Sequence, residues 1–456
     1  MPLTKDAVSS LKKICKDRCF TDPESLILYG YDATRISRQP DAVVFPLSTQ
    51  ETADVLKLAN KLAIPVVPRG AGTGLSGGAV PVKGGIVVST EKMNRILSIN
   101  KPDLTVEVEP GVITGTLKKM LESQGLFYPP DPASSEFSSI GGNIAENAGG
   151  LKAIKYGSTS NYVLGMEVVV PAGEVLWLGR YTHKGVVGYN LKDLFIGSEG
   201  TLGIITKAVL KLIPKPQSRS TLFATYPDVG ASASIVTDIL GTGILPSAIE
   251  FMDQASMHAV SSYLGSDVFG SKAGSALLIE VDGEQEATKS AIERIASVCK
   301  ERALSIETAH GPDAEALWIA RRALSPALAK IKPFKLNEDI VVPLSKLPGL
   351  VSGVERICAP LNLQYANFGH AGDGNIHVNI LYDTKDEGEY KRALIAVDQV
   401  FDLVIKLHGT LSGEHGVGIT KLSYITKELS PASHKLMQDI KRLIDPNNIM
   451  NPGKAI

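Results

Sequence analysis

The sequence predicts an α+β protein of two domains joined near residue 215, and three observations carry that prediction. The chain has 456 residues, whereas a single hydrophobic core stops growing at about 250 to 300 residues. Its first half sets short β-branched runs beside amphipathic helical patterns and is interrupted by two glycine-rich stretches. Its second half changes to strands and helices of similar length, the pattern of an antiparallel sheet with helices on one face. The expected division is an N-terminal helical segment over 1–34, a first domain over 35–215 and a second over 216–456.

The elements follow in order. After an N-terminal helix, DAVVFP reads as a strand. STQETADVLKLANKLAI opens with a capping box, Ser48 and Glu51, and keeps Val55, Leu58, Ala59 and Leu62 at helical spacing. PVVPR returns as a strand and completes a βαβ unit by residue 69. Strands come next at GGIVVST and TVEVEPG, then a helix in TGTLKKMLESQG that Gly125 ends. Residues 129–160 are poor in apolar periodicity and rich in Gly, Ser, Asn and Pro, and so long a stretch without clear elements points to binding. NYVLGMEVVVPAGEVLWLG reads as a hairpin, GTLGIITKAVLKLIP as a strand, and PKPQSRS as the linker. Beyond it come a helix near 228–240, strands PSAIEF and SALLIEVD and a helix from about 284. One long helix over DAEALWIARRALSPALAKI, the strand EDIVVP and the helix SKLPGLVSGVERICAPL follow.

With 47 basic and 48 acidic residues, the chain has no overall charge that would favour nucleic acid or an anionic membrane. The partner is therefore expected to be small. No apolar run reaches the roughly 18 to 20 residues of a membrane helix, and MPLTKDAVSSLKK lacks a signal-peptide core, so a cytoplasmic protein is expected. Its four cysteines are too few and too scattered for a disulfide framework or an iron-sulfur cluster.

The densest glycine stretch, PRGAGTGLSGGAVPVKGG, contains a trap. Gly72, Gly74 and Gly77 satisfy G-x-G-x-x-G, and Glu91 follows about 20 residues on, as a dinucleotide fingerprint requires. That fingerprint needs the glycines to open a helix. Here AVPVKGGIVV follows, where Pro81 and a Gly-Gly pair forbid one. What remains is a strand-loop-strand whose bare N–H groups form a nest for an anionic diphosphate.

A second stretch, YANFGHAGDGNIHVNIL, reads as strand, turn and strand. His377, Asn379 and Leu381 point to one face and Ile376, Val378 and Ile380 to the other, while His370 sits in the preceding turn. By themselves the two imidazoles fit either ligand binding or ordinary hydrogen bonding. GTLSGEHGVG adds Glu414 and His415 between glycines. Two imidazoles and one carboxylate with open positions make a site for a divalent metal that also holds substrate.

PRGAGTGLSGG, YPPDPASSEFSSIGGNIAENAGG, GSEGTLGIIT and the C-terminal NPGK together resemble the vanillyl-alcohol oxidase and p-cresol methylhydroxylase flavoproteins. Within that superfamily the chain is similar to the FAD-linked D-2-hydroxy-acid dehydrogenases, the group of D-lactate dehydrogenase, the glycolate oxidase flavin subunit and D-2-hydroxyglutarate dehydrogenase. The resemblance spans roughly residues 35–456. It implies a two-subdomain FAD-binding domain of the p-cresol methylhydroxylase type, followed by an α+β cap domain with an antiparallel sheet that forms the substrate site.

Carried over position by position, the resemblance implies that Arg69, Gly70, Ala71, Gly72, Thr73, Gly74, Gly77 and Gly78 wrap the pyrophosphate of FAD. Pro132, Ser134, Ser139, Gly141, Gly142, Asn143, Gly149, Glu199, Gly200 and Ile205 line the flavin, and Asn451 returns from the C-terminal stretch. Neither His nor Cys occurs between 65 and 150, so dissociable FAD is expected. The same resemblance implies His370, His377 and Glu414 as ligands of a divalent metal, zinc first, with iron or manganese as alternatives. His415 is then the general base.

For the substrate carboxylate the resemblance selects Arg321 over Arg322, with Ser325 one turn further on. Lys335, in a stretch whose spacing departs from the family's, and Asn379 are further substrate contacts. The expected reaction is oxidation of a D-2-hydroxy acid, D-lactate ahead of glycolate and D-2-hydroxyglutarate. Electrons leave to an iron-sulfur subunit, an electron-transfer flavoprotein or a quinone, and any membrane association is peripheral, through that partner. The rival readings are a flavin electron carrier without its own substrate, and a non-redox or NAD(P)H-using enzyme on the same fold.

Overall fold

The computed structural model describes residues 3–270 and 272–456; the first two positions of the expected N-terminal segment lie outside them. The chain forms two compact units that depart from the expected linear division. The first runs to Gly149, resumes over Ser158–Lys215 and takes the C-terminal stretch Glu414–Ile456; the second comprises Gly150–Gly157 and Pro216–Gly413.

In the first unit, β1 (Cys19–Phe20), β2 (Ala42–Val44), β3 (Val66–Arg69) and β4 (Ile86–Ser89) form a sheet in the order β1-β2-β4-β3. The expected βαβ unit is present, but β4 lies between its two strands and pairs with both in parallel. The crossover helix Thr49–Leu62 starts at Ser48, whose Oγ accepts from Glu51 N–H. The expected capping box is only half made, because the Glu51 carboxylate turns to Leu47 N–H and to Arg18 in a bidentate pair. The buried face is Thr52, Ala53, Val55, Leu56 and Ala59, while Leu62 is exposed.

A second sheet is built from β5 (Ile96–Asn100), β6 (Thr105–Val108), β8 (Val163–Val169), β9 (Val175–Gly179) and β10 (Ile204–Lys211), with β7 (Leu126–Phe127) pairing β11 (Ile213–Pro214) elsewhere in the unit. The order β5-β6-β10-β8-β9 is antiparallel throughout, and β5 was not foreseen because only Ile96 and Ile99 are even partly buried, three positions apart, so no alternation marks a strand. Between 129 and 160, which had read as irregular, lie the short helices Ile140–Glu146 and Ala153–Tyr156.

The C-terminal stretch completes this unit. Val66 N–H donates to Ile449 O and Asn451 N–H to Val66 O, both at 2.7 Å. The buried Asp445 carboxylate accepts from the N–H groups of Ile449 and Met450 and pairs with Lys441, which also donates to Thr201 O.

The second unit is one seven-stranded sheet of β12 (Ser218–Tyr226), β13 (Ala248–Asp253), β14 (Ser275–Gly283), β15 (Ser305–Ala309), β16 (Phe334–Val341), β17 (Gln364–His370) and β18 (Asn375–Tyr382). Its order is β15-β12-β14-β13-β17-β18-β16, antiparallel throughout. The expectation of one helix-covered face is corrected: every residue of β13 is buried, so both faces are covered. The expected long helix is also broken, ending at Arg322 and resuming as Leu324–Ala327 and a 3-10 turn. Pro326 has no N–H to continue the helical ladder.

Residues 150–157 join this unit through ion pairs. Lys152 binds Glu280 at 3.0 Å, and Lys155 and the Tyr156 hydroxyl bind Asp282 at 2.6 and 2.9 Å.

Truncating Leu56, wholly buried on the crossover helix, removes core contacts and leaves a cavity. Leu56→Ala is expected to lower unfolding free energy by about 2–5 kcal/mol, measured by urea denaturation.

Candidate functional site

The first unit contains a cavity whose wall is made largely of backbone. The loop after β3 contains no helix, as its prolines and glycines require, and Gly72 there takes a φ of +70°. Arg69 to Gly74, Gly78, Pro132, Ser134, Ser139, Gly141, Gly142, Asn143, Glu199, Gly200 and Ile205 all lie along the cavity. Gly77, Gly149 and Asn451 do not line it. Gly77 packs against the Ile419 side chain, and a Cβ on Gly149 would lie 3.1 Å from Glu414 Oε2.

Absence of side chains shapes this wall. A Cβ on Gly70 would collide with Ser139 Oγ, and one on Gly141 would sit 2.6 Å from Pro110 Cβ. The cavity is a glycine-rich cradle that fits an elongated, diphosphate-bearing cofactor such as FAD.

Several expected contacts act indirectly. The Arg69 guanidinium donates to Tyr31 O at 2.6 Å and lies over the Tyr29 ring, and burial pulls its pKa down. Asn143 uses its amide N–H on Thr114 Oγ1. Glu199, at φ 51°, accepts from Val417 N–H at 2.8 Å and Gly418 N–H at 2.6 Å. Asn451 donates to the carbonyls of Gly78 and Glu199, and so holds the wall from behind.

The sequence reading passed over Glu146 and Lys454, although AENAGG and NPGK contain them. Glu146 lines the cavity with Oε2 shielded from solvent and without a hydrogen-bond partner. Burial first, then the charges of Glu199 and Asp32, raises its pKa well above the carboxylate range. Lys454 is 2% exposed and donates to Gly78 O and Asn451 Oδ1, and burial pulls its ammonium down to about 7. Glu414 and His415 stand on the same cavity, with Glu414 Oε1 and His415 Nε2 3.9 Å apart.

In the second unit the strand register places His370, His377 and Asn379 on one sheet face with Glu250, Asp339 and Asn337. The His370 and His377 rings meet edge to face with centroids 5.3 Å apart. His370 Nδ1 lies 2.7 Å from Glu250 Oε1, and His377 Nδ1 lies 3.7 Å from Asp339 Oδ1. Asp339 also accepts from Asn375 Nδ2 and Gly413 N–H.

On this face the Oδ1 atoms of Asn337, Asn375 and Asn379 are buried without partners, unusual for folded protein and consistent with a polar ligand. Two buried imidazoles, one hydrogen-bonded to Glu250 and the other 3.7 Å from Asp339, fit a borderline cation such as zinc.

The substrate-binding candidates separate. Arg321 is buried, paired with Glu250 and stacked over the Phe368 ring at 5.1 Å. Arg322 is exposed and pairs with Glu315. Ser325 is exposed and accepts from Lys335 Nζ at 2.7 Å. Asn379 directs its N–H groups to the backbone carbonyls of Ala366 and His377.

Comparison with known proteins divides the chain near residue 215, with the C-terminal stretch of the first unit falling in the second match. Residues 40–179 match the FAD binding domain family, and residues 215–455 match the family described as FAD linked oxidases, C-terminal domain. The chain is 42% identical to "Glycolate oxidase subunit GlcD" of Bacillus subtilis (strain 168) over 99% of this chain and 97% of that one. It is 37% identical to "D-lactate dehydrogenase" of Anaerostipes hadrus over 99% and 97% of the two chains. Identity to "D-2-hydroxyglutarate dehydrogenase" of Stutzerimonas stutzeri (strain A1501) is 36%, over 96% of each. In fold it is similar to p-cresol methylhydroxylase, with a TM-score of 0.83 at 20% identity over 100% and 98% of the chains. It is also similar in fold to alkyldihydroxyacetonephosphate synthase, at 0.77 and 22% over 99% and 86%.

Two outcomes follow from the cavity. Between about pH 7 and 10 the unfolded chain holds a proton on Lys454 that the native protein has released, so stability rises with pH across that window. Lys454→Met is expected to flatten that rise in urea denaturation at stepped pH. Asn451→Ala leaves Gly78 O and Glu199 O without this donor, and flavin absorbance per chain in purified protein is expected to fall.

Proposed function

Because the chain belongs to the FAD-linked oxidase family, being an FAD-dependent oxidoreductase acting on the CH–OH group of hydroxy acids, we propose that its substrate is D-lactate, with glycolate and D-2-hydroxyglutarate next. The observation that carries the mechanism is that Glu414 and His415 stand on the wall of the glycine-lined cavity. That position supports the reading of His415 as the proton acceptor beside the cofactor.

Non-covalent FAD in that cavity supplies the two-electron acceptor, and a divalent metal, zinc first with iron or manganese as alternatives, supplies a charge that acidifies the substrate hydroxyl. His370, His377 and Glu414 would hold the metal. The His415 imidazole takes the hydroxyl proton, the general-base role that histidine fills most often.

Arg321 orients the substrate carboxylate. Glu250 engages one edge of its guanidinium, and the planar fork has further N–H groups for a carboxylate. Asn379, whose Oδ1 is buried and unpartnered, is a further substrate contact. Lys335 and Ser325, bonded to each other, form a secondary contact for longer acids.

Electrons pass onward to a partner, an iron-sulfur subunit, an electron-transfer flavoprotein or a quinone, and the word "subunit" in the Bacillus subtilis relative's name favours a partner protein. Among the described residues no helix is long and apolar enough to cross a membrane. We place the enzyme in the cytoplasm, with any membrane contact made through that partner.

Anaerobic flavin bleaching tests the reading. D-Lactate is expected to bleach the flavin, L-lactate to leave it oxidised, and chelator to abolish the reaction until metal is restored. His415→Asn is expected to slow bleaching by about 10²–10⁴-fold. No bleaching by any D-2-hydroxy acid, in protein holding FAD and metal, would remove the substrate class.

A further inference from the structure

Glu250 is wholly buried on β13, directly opposite His370 in the sheet register. Its two oxygens face different functional groups. Oε1 lies 2.7 Å from His370 Nδ1, while Oε2 accepts from Arg321 Nε at 2.7 Å and stands in ion-pair contact with Nη2 of the same guanidinium. The guanidinium is pinned on its flat side by Phe368. One carboxylate therefore ties an imidazole to an arginine in the interior of the sheet.

We infer that Glu250 is a positioning residue that sets the orientation and tautomer of His370 for metal binding while fixing Arg321 in the same geometry. This inference rests on the proposed metal role of His370. A carboxylate accepts and does not donate, so the ring proton of His370 belongs on Nδ1, and Nε2 is the nitrogen that presents a lone pair. An anionic partner also makes that lone pair a better donor to a cation. The same carboxylate balances the charge of Arg321, so the arginine is held in place without being driven against the cation.

The competing explanation is that Glu250 merely neutralises a buried arginine, a pairing whose loss destabilises a fold. The two differ in what a neutral isostere does. Glu250→Gln keeps the shape and loses the charge.

The test is the zinc affinity of the full-length FAD-loaded protein, measured by competition with a chromophoric chelator, alongside flavin content and thermal unfolding. Glu250→Gln is expected to bind zinc about 10–100-fold more weakly than wild type while retaining its flavin. Arg321→Met, which leaves Glu250 beside His370, is expected to keep wild-type zinc affinity. Should Glu250→Gln not fold, the doubly neutral Glu250→Gln/Arg321→Met protein replaces it, read against Arg321→Met.

His370→Ala separates the two levels. Loss of zinc in His370→Ala with wild-type affinity in the glutamine variant overturns the role of Glu250 and leaves the metal reading intact. Unchanged affinity in His370→Ala overturns the metal reading itself.

Discussion

The cavity of the first unit depends on how one buried carboxylate is satisfied. Glu199 sits at a left-handed turn with a φ of 51°, where its side chain accepts two consecutive N–H groups from Val417 and Gly418. Those bonds pin the segment that starts with Glu414 and His415. A buried carboxylate deprived of such donors costs several kcal/mol or takes up a proton, so the tail and the turn specify each other. Asn451 then joins the Glu199 and Gly78 carbonyls, and Lys454 adds a third link to Gly78. These groups of the wall are therefore held from outside the cavity.

The second unit solves a different problem. Its sheet is covered on both sides, yet one face bears Arg321-bound Glu250, two histidines, Asp339 and a set of asparagines. Such groups survive burial only in pairs. The pairs are local and come from neighbouring strands: Glu250 with His370, Asp339 with Asn375. Strand register brings them together, because β17 sets His370 opposite Glu250 and β16 sets Asp339 opposite His377. Covering both faces also accounts for the near-continuous apolar runs of β13 and β14, interrupted by Glu250 and Glu280.

Much of this was legible in the sequence. The glycine loop could not open a helix because Pro81 and Gly84-Gly85 follow it, and it does not. The alternation of Ile376, Val378 and Ile380 with His377 and Asn379 fixed which residues share a face. Partnerships were less legible. Nothing in the spacing of Glu51 told that Arg18 would compete for it, and Glu250 lies 120 positions before His370, beyond the reach of any local pattern. Arg321 and Asn379 were read as open toward a substrate, whereas each directs part of its hydrogen-bonding capacity to the protein. The domain limits misled for a related reason: ion pairs of Lys152 and Lys155, and backbone bonds of Ile449 and Asn451, join segments that are distant in the chain.

That discontinuity has a consequence for how the molecule is made. The second unit is an insertion within the first: residues 216–413 are synthesised before the stretch that supplies Val417, Gly418 and Asn451. Its antiparallel sheet has all its strands in hand while the first unit still lacks the segment that satisfies Glu199 and extends the pairing of Val66. Domains fold as units during synthesis, so the inserted unit is free to fold first and the cavity closes last. Glu414 and His415, which line the cavity, arrive with the closing segment, which makes assembly of the wall and arrival of these two side chains a single late event.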